Sequence, residues 1–98
     1  MRIDPRRLAV LGAVANAGGV LAASTVLHLT PSAVSQHIAR LEAETGVTLL
    51  DRSRLGGRRA AGLTPAGRLL AAHAGKLAET LAAAERDLAA LTGQVTGP

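Results

Sequence analysis

Apolar residues recur every three or four positions through most of the chain, the spacing that gathers side chains on one face of an α-helix. Three such stretches open with a capping residue followed by proline, at Asp4-Pro5, Thr30-Pro31 and Thr64-Pro65. A cap side chain accepts a hydrogen bond from the first helical turn, and proline at the first helical position gives up no helical bond. These pairs predict three helix starts, while Gly18-Gly19 and Gly46 predict the ends of the first and third helices.

A second, short apolar segment, Val20–Leu29, lies between the first and third helices. Two helices joined by a tight turn, the later one opened by Thr-Pro, are typical of a helix-turn-helix. Helical spacing assigns one buried face to each helix. We expect these side chains in the core: Leu8, Leu11, Val14 and Ala15 of the first helix, Ala23, Val26 and Leu27 of the second, and Val34, Ile38, Leu41 and Thr45 of the third.

The opposite face of the third helix, 31–45, is small, neutral or cationic. It collects Ser32, Ser35, Gln36, Ala39, Arg40 and Ala43. Hydroxyl and amide side chains in the first two turns can reach base edges without repelling phosphates. The pattern favours a recognition helix for the major groove of DNA. An ordinary surface helix, whose serines only cap and solvate it, is the alternative.

The segment after the third helix predicts a β-hairpin. Val47–Leu50 and Ala60–Leu63 are short extended candidates, separated by arginines around Gly56-Gly57. Placed after a helix-turn-helix, a hairpin over 51–60 would be a wing that enters the minor groove or grips its phosphates. Its cations are Arg52, Arg54, Arg58 and Arg59. A solvated loop is the alternative for such a run of charge.

From Thr64-Pro65 to Leu91 the chain is rich in alanine and leucine, which predicts one long helix over 65–92. An apolar stripe with a 4-3 spacing runs along it. The stripe comprises Leu70, Ala74, Leu77, Leu81, Ala84, Leu88 and Leu91. Because a helix this long outreaches the core of a small unit, we predict that the stripe is a helix–helix dimer seam; packing against its own domain is the alternative. Residues 93–98 are expected to form a flexible tail.

Composition narrows the choice of partner. Eleven Lys+Arg oppose seven Asp+Glu, and nine of those cations lie in residues 1–68. Ten of the cations are arginine, which suits bidentate contacts to phosphate and guanine. The chain has no Phe, Tyr or Trp, so it lacks the stacking platforms that proteins use on single strands. Double-stranded DNA is therefore the expected partner.

An enzyme is the least favoured class. The chain has no Cys, which excludes disulfides, thiolate zinc sites and cysteine nucleophiles. His28, His37 and His73 are not spaced as metal ligands. Ser35 and His37 are two residues apart on a helix and point away from each other, so they form no catalytic pair. We expect no catalytic site, no metal and no cofactor.

Leu8–Leu29 carries no charge and follows three arginines, which superficially suggests a signal peptide cleaved near Ala13-Val14-Ala15. Glycine and polar residues interrupt the stretch, whereas a spanning helix needs about 20 predominantly apolar residues. Asp4-Pro5 is also a good helix start. We therefore expect no membrane partner and a cytoplasmic, nucleoid-associated protein.

Three blocks of sequence resemble the N-terminal DNA-binding region of the LysR-type transcriptional regulators. The most specific is Leu29–Glu42, which reads LTPSAVSQHIARLE. It is followed by Gly46-Val47-x-Leu49-Leu50-x-Arg52 and then by Leu63-Thr64-Pro65-Ala66-Gly67. The order and spacing of the blocks match over nearly the whole run from Leu8 to Leu91.

The resemblance implies a mainly α fold: a winged helix-turn-helix of three helices plus a β-hairpin wing over 1–64, followed by a linker helix over 65–92. That helix pairs antiparallel with the same helix of a second subunit. The homodimer binds an interrupted palindrome, with each recognition helix in a major groove and each wing over a minor groove. With the wing cations, the predicted DNA-binding residues are Thr30, Pro31, Ser32, Ser35, Gln36 and Arg40.

The sequence departs from the family in several places. Leu11, Val20 and Leu50 stand where aromatic residues are usual, Gly19 stands where Ser or Thr commonly caps the second helix, and the wing is longer. A small-molecule sensing domain normally follows the linker helix, with the tail as the start of a hinge. We expect this sequence to be cut after the linker rather than to have lost that domain, and an effector only if the domain exists.

The leading hypothesis is a dimeric, sequence-specific regulator of bacterial transcription. Arginine–phosphate contacts would supply most of its affinity, and Ser32, Ser35 and Gln36 would read bases directly. The alternative, from another class, is a winged-helix module for protein–protein dimerisation without specific DNA binding.

Overall fold

A computed structural model describes residues 1–51 and 62–92 and contains four helices in these ranges. They are α1 (Pro5–Ala17), α2 (Val20–Leu27), α3 (Pro31–Thr45) and α4 (Pro65–Thr92). The helix starts predicted from the three cap-then-proline pairs are confirmed, and α4 has the bounds expected of the long helix. The predicted wing arginines, Arg52, Arg54, Arg58 and Arg59, lie outside the described residues, as do 93–98.

Each predicted cap makes the expected hydrogen bond. The Asp4 carboxylate accepts from the Arg6 N–H at 2.8 Å, Thr30 Oγ1 from the Ala33 N–H at 3.0 Å, and Thr64 Oγ1 from the Gly67 N–H at 3.0 Å. The bond from the Arg6 amide, with the positive charge of Arg7 nearby, lowers the pKa of Asp4 below its ordinary 3.8. Local chemistry therefore sets where these helices begin.

The core lies where α1, α2 and α3 meet. Leu11, Val14, Val34, Ile38 and Leu41 are fully buried, as the helical spacing predicts. Several expectations for this core need adjustment. Val26 is 64% exposed, so its assignment to the buried face of α2 was wrong, and Ala15 and Thr45 are only half-buried.

The face of α2 that packs inward is rotated from the predicted one. Ala23 and Ser24 are buried and Leu27 is partly buried against the core. Ser24 satisfies its hydroxyl within the helix, where it donates to the Leu21 carbonyl at 2.7 Å. A hydrogen-bonded serine can be buried at little cost, so burial in this short helix does not follow hydrophobicity alone.

The turn between α2 and α3 depends on a left-handed residue. His28 has φ 58° and ψ 40°, an uncommon conformation for a residue with a side chain. Its N–H donates to the Thr25 carbonyl, and the Leu29 N–H donates to the Ser24 carbonyl at 2.9 Å. This pair of bonds ends α2 and directs the chain into α3.

Gly19 sits at φ 158° and ψ 173° before α2, where no side chain caps the helix. Residues with a Cβ rarely adopt that backbone conformation. Glycine therefore fits this turn, although the first turn of α2 gains no capping bond from it.

The segment after α3 is held in place by hydrogen bonds to α3 itself. The Glu42 carboxylate accepts hydrogen bonds from the Leu49 N–H at 2.7 Å and the Leu50 N–H at 3.2 Å. An isolated antiparallel bridge then joins Leu50 to Leu63. Within residues 1–51 and 62–92 this bridge is the β pairing that is present. The predicted hairpin is not seen in these ranges, because most of it lies outside the described residues.

Helix α4 docks through small residues. Gly12 of α1 is buried against Ala74, and a Cβ added at Gly12 would lie 2.9 Å from the Ala74 Cβ. At the start of α4, a Cβ on Gly67 would overlap the backbone carbonyl of Leu49. The two glycines let α4 approach both α1 and the segment after α3, which fixes the direction in which α4 leaves the core.

None of the helices in the described ranges is long and apolar enough by itself to cross a membrane. Within residues 1–51 and 62–92, one pair of helices, α1 and α2, passes the length and composition test when taken together, and the two are bent by 117° relative to each other.

Candidate nucleic-acid interface

The six predicted DNA-binding residues that the structure describes lie together on one surface. Thr30 and Pro31 are exposed at the start of α3, and Ser32, Gln36 and Arg40 are exposed along it. Ser35 is half-buried between them. We call this surface the reading face: Thr30, Pro31, Ser32, Ser35, Gln36 and Arg40.

The opposite side of α3 anchors the reading face. Val34, Ile38 and Leu41 have no exposed surface and belong to the core. Because residues on the two sides of one helix move together, the core packing fixes the direction in which the reading face points. The helix therefore presents its polar side chains on a rigid support.

The chemistry of the reading face suits a duplex. A glutamine side chain can form two hydrogen bonds to adenine, and serine hydroxyls can bond to bases or phosphates. Thr30 Oγ1 already caps the Ala33 N–H, so Thr30 shapes the helix start. The amide N–H of Ser32 has no acceptor within the described residues, and an uncapped amide at a helix N-terminus is well placed for a phosphate oxygen.

A second anchor joins the far end of α3 to the start of α1. The Arg7 guanidinium donates to the Glu44 carboxylate, whose other oxygen accepts from the Asp4 N–H at 3.2 Å. Arg7 Nε also lies 3.9 Å from the Asp4 carboxylate. Because 37 positions separate Arg7 from Glu44, no local spacing could have indicated the pair.

The structure adds residues that the sequence analysis did not include. An open cleft of about 120 Å³ lies between α1 and α3 and is lined by Arg7, Ala33, Gln36, His37 and Arg40. Gln36 and Arg40 are also part of the reading face, so the cleft adjoins it. The spacing 33, 36, 37 and 40 is that of one helix face, which could have grouped the α3 members, but only the tertiary structure adds Arg7.

The predicted dimer stripe has two parts in the structure, one packed within the chain and one exposed. Leu70 packs against the core and Ala74 is buried against α1, so these two make contacts within the chain. Further along α4 the stripe is open: Leu77 is 38% exposed, Leu81 57%, Leu88 60% and Leu91 84%, and Ala84 is exposed as well. We call these four leucines the exposed stripe.

An apolar groove of about 640 Å³ continues from the exposed stripe onto α1. It is lined mainly by small and apolar residues, among them Ala9, Gly12, Ala13, Ala74, Leu77 and Leu81. Its width comes from the small side chains on both helices. No set of three or more His, Asp or Glu side chains in residues 1–51 and 62–92 is arranged to hold a metal ion.

Comparisons with known proteins show what this chain is similar to. The sequence model of the bacterial regulatory helix-turn-helix proteins of the lysR family matches residues 5–68. The probable HTH-type transcriptional regulator LrrA of Synechococcus elongatus is 50% identical over 52 residues, which are 53% of this chain and 18% of LrrA. The chain thus spans less than a fifth of the length of that relative.

Two solved structures superpose on nearly the whole chain. The full-length LTTR LysG from Corynebacterium glutamicum has a TM-score of 0.81 and 29% identity, over 96% of this chain and 31% of LysG. The CbnR DNA-binding domain in complex with DNA has a TM-score of 0.71 and 32% identity, over 91% of this chain and 99% of that domain.

Proposed function

The chain belongs to the lysR family of bacterial regulatory helix-turn-helix proteins, and from this we propose that it binds duplex DNA as a transcriptional regulator, with α3 in the major groove. The observation that carries the proposal is the reading face on α3. Its hydroxyl, amide and guanidinium side chains are exposed apart from the half-buried Ser35, while the other side of the same helix is fixed in the core. A helix built in this way is the usual means of direct base readout.

Within this proposal Gln36 reads a base, and Ser32 and Ser35 contact bases or phosphates. Thr30 and Pro31 define where the helix starts, and Arg40 contacts the phosphate backbone. Support comes from the chemistry of each side chain and from its exposure. The solved CbnR complex shows that a similar domain is found with DNA.

The arginines at 52, 54, 58 and 59 complete the interface in our proposal as a wing at the minor groove. Arginine is well suited to a narrow minor groove, where the negative potential is enhanced. Support comes from the sequence and from the Leu50–Leu63 bridge, which brings the two ends of the segment together. The segment that carries these arginines would thus begin and end close to the core.

We further propose that two copies pair through α4 and bind an interrupted palindrome. The exposed stripe and the adjoining groove offer an apolar surface on a helix of 28 residues, about 42 Å long. A twofold dimer uses the same patch on both copies, and its DNA site repeats that symmetry. Such a regulator would act on the chromosome in the cytoplasm, and an effector enters only if a sensing domain follows.

The experiment that tests the function is selection from a random duplex library by this chain at physiological salt, followed by sequencing of the retained fragments. We expect enrichment of a twofold-symmetric site with two short half-sites. Retention without an enriched sequence would contradict direct readout by α3. No retention at any salt concentration would favour the alternative function, a module for protein–protein dimerisation.

A further inference from the structure

The cleft between α1 and α3 brings together three basic side chains from two helices. Arg7 comes from α1, and His37 and Arg40 come from α3. Arg40 is exposed, whereas Arg7 and His37 are half-buried. None of the three belongs to the core, and neither Arg7 nor His37 was assigned a role in base readout.

The cleft adjoins the reading face, because the two surfaces share residues. Gln36 and Arg40 belong both to the reading face and to the lining of the cleft. A helix inserted in the major groove is flanked by the phosphates of both strands. With α3 in the major groove, as proposed above, the cleft would lie beside the groove, where a backbone phosphate passes. At about 120 Å³ it is large enough to admit a phosphate oxygen.

The formal charges of the four other ionisable groups at the cleft cancel when His37 is neutral. Arg7 and Arg40 are positive, and the two carboxylates that contact Arg7, those of Asp4 and Glu44, are negative. The other helix packed against α3 is α2, which carries no ionisable side chain. For these four groups together with His37, protonation of His37 thus changes the summed formal charge from zero to +1.

We propose that this cleft binds a backbone phosphate of the DNA and that His37 takes up a proton when it does so. The inference rests on the proposed function, because it requires duplex DNA on α3. Histidine is the side chain that ordinarily changes its charge between pH 5 and 8. A phosphate favours the imidazolium form, and by linkage the imidazolium form favours the phosphate. Affinity for DNA therefore rises as the pH falls through this range.

The test compares the 98-residue chain with the variant His37→Gln, which cannot take up the proton but retains an amide donor. Affinity for the selected duplex is measured by fluorescence anisotropy from pH 8 to pH 6 at constant ionic strength. We expect the affinity of the unmodified chain to rise about threefold to tenfold and that of His37→Gln to stay nearly level.

The controls are His28→Gln, in the turn before α3, and His73→Gln, on the exposed surface of α4. Both should keep the pH dependence. Calorimetric titrations in two buffers with different ionisation enthalpies count the protons directly. Uptake should be clearly positive for the unmodified chain and smaller for His37→Gln. Thermal unfolding followed by circular dichroism checks that each variant is folded.

An unmodified chain that binds the duplex with the same affinity at pH 8 and pH 6 would overturn the inference, as would a His37→Gln variant with the unmodified pH profile. Both results leave the proposed function intact. A chain that binds no duplex at any pH is a different result, because it removes the proposed function and the phosphate cleft together.

Discussion

At the scale of single residues, Gly12 and Gln36 show two ways in which one residue affects this molecule. Gly12 has no side chain and therefore lets α1 approach Ala74 on α4. Gln36 is exposed beside a cleft and is free to contact a partner. The first residue matters for stability and the second for recognition, and a substitution at each position separates the two effects.

The change Gly12→Ala should destabilise the fold. Its new Cβ would lie 2.9 Å from the Ala74 Cβ, and both atoms are fixed to helix backbones, so α1 and α4 must move apart. Overpacking of this kind costs about 1–3 kcal/mol, which exceeds the roughly 0.5–1 kcal/mol that alanine gains over glycine in a helix.

Gly75→Ala is the matched control, because a Cβ there meets nothing within 4 Å. It should raise the free energy of unfolding by about 0.5–1 kcal/mol. Urea unfolding at one protein concentration measures both variants. A stabilised Gly12→Ala would show that α1 and α4 are not in close contact at this point.

The change Gln36→Ala should relax sequence specificity without unfolding α3. Gln36 is exposed, and alanine is the better helix former. If Gln36 reads a base, its loss costs about 1–3 kcal/mol of discrimination at one base pair. The measurement is the dissociation constant on the selected duplex and on a scrambled duplex of equal length. Equal losses on both would assign Gln36 to backbone contacts only.

At the scale of elements, Glu42 links α3 to the segment that follows it. One carboxylate oxygen accepts from two consecutive backbone amides, those of Leu49 and Leu50. These residues lead to the bridge with Leu63 and so toward the predicted wing. The helix that carries the reading face therefore also positions the base of the segment that carries four of the ten arginines.

The change Glu42→Ala should lower the free energy of unfolding by about 2 kcal/mol, because two amide donors lose a charged acceptor. The matched control is Glu85→Ala on the exposed surface of α4, which should change stability by less than about 0.5 kcal/mol. Thermal unfolding of the two variants compares them. Equal stabilities would mean that Glu42 does not hold this segment.

At the scale of the whole molecule, α4 is about twice as long as α1, the helix that it packs against. It has 28 residues against the 13 of α1, about 42 Å against about 20 Å. Its first turns pack against the core through Leu70 and Ala74, and the same stripe then continues into solvent. An apolar stripe that outreaches its own core is a surface suited to a second copy of the chain.

The change Leu81→Ser should weaken the proposed dimer, because Leu81 lies on the exposed stripe and lines the groove between α1 and α4. The matched control is Leu69→Ser. Leu69 is exposed to a similar degree, 62% against 57%, but lies about a quarter turn away from the stripe on the same helix.

Sedimentation equilibrium should give a weaker dimer for Leu81→Ser and an unchanged one for Leu69→Ser. Affinity for the palindromic duplex should fall with the dimer, since both half-sites can then no longer be bound together. Equal dimerisation of the two variants would place the interface elsewhere on the chain.

Features that depend on local chemistry could be predicted from the order of the residues alone. The cap-then-proline pairs located three helix starts, and the spacing of Val34, Ile38 and Leu41 oriented α3, because a helix repeats its contacts every three to four residues. That orientation also placed the polar side chains of the reading face on the exposed surface. Both inferences use only neighbours within one helix.

Features that depend on residues far apart in the chain became evident from the packing of the helices. Three of these features depend on which helix packs alongside. They are the Arg7–Glu44 ion pair, the burial of Ser24 in place of Val26 on α2, and the exposure of the α4 stripe beyond Ala74. Periodicity gives a helix an apolar face but not the extent to which a neighbour covers it. The length of α1 and the absence of a side chain on Gly12 set that extent, so the division of α4 between core and exposed stripe emerges only when the helices pack together.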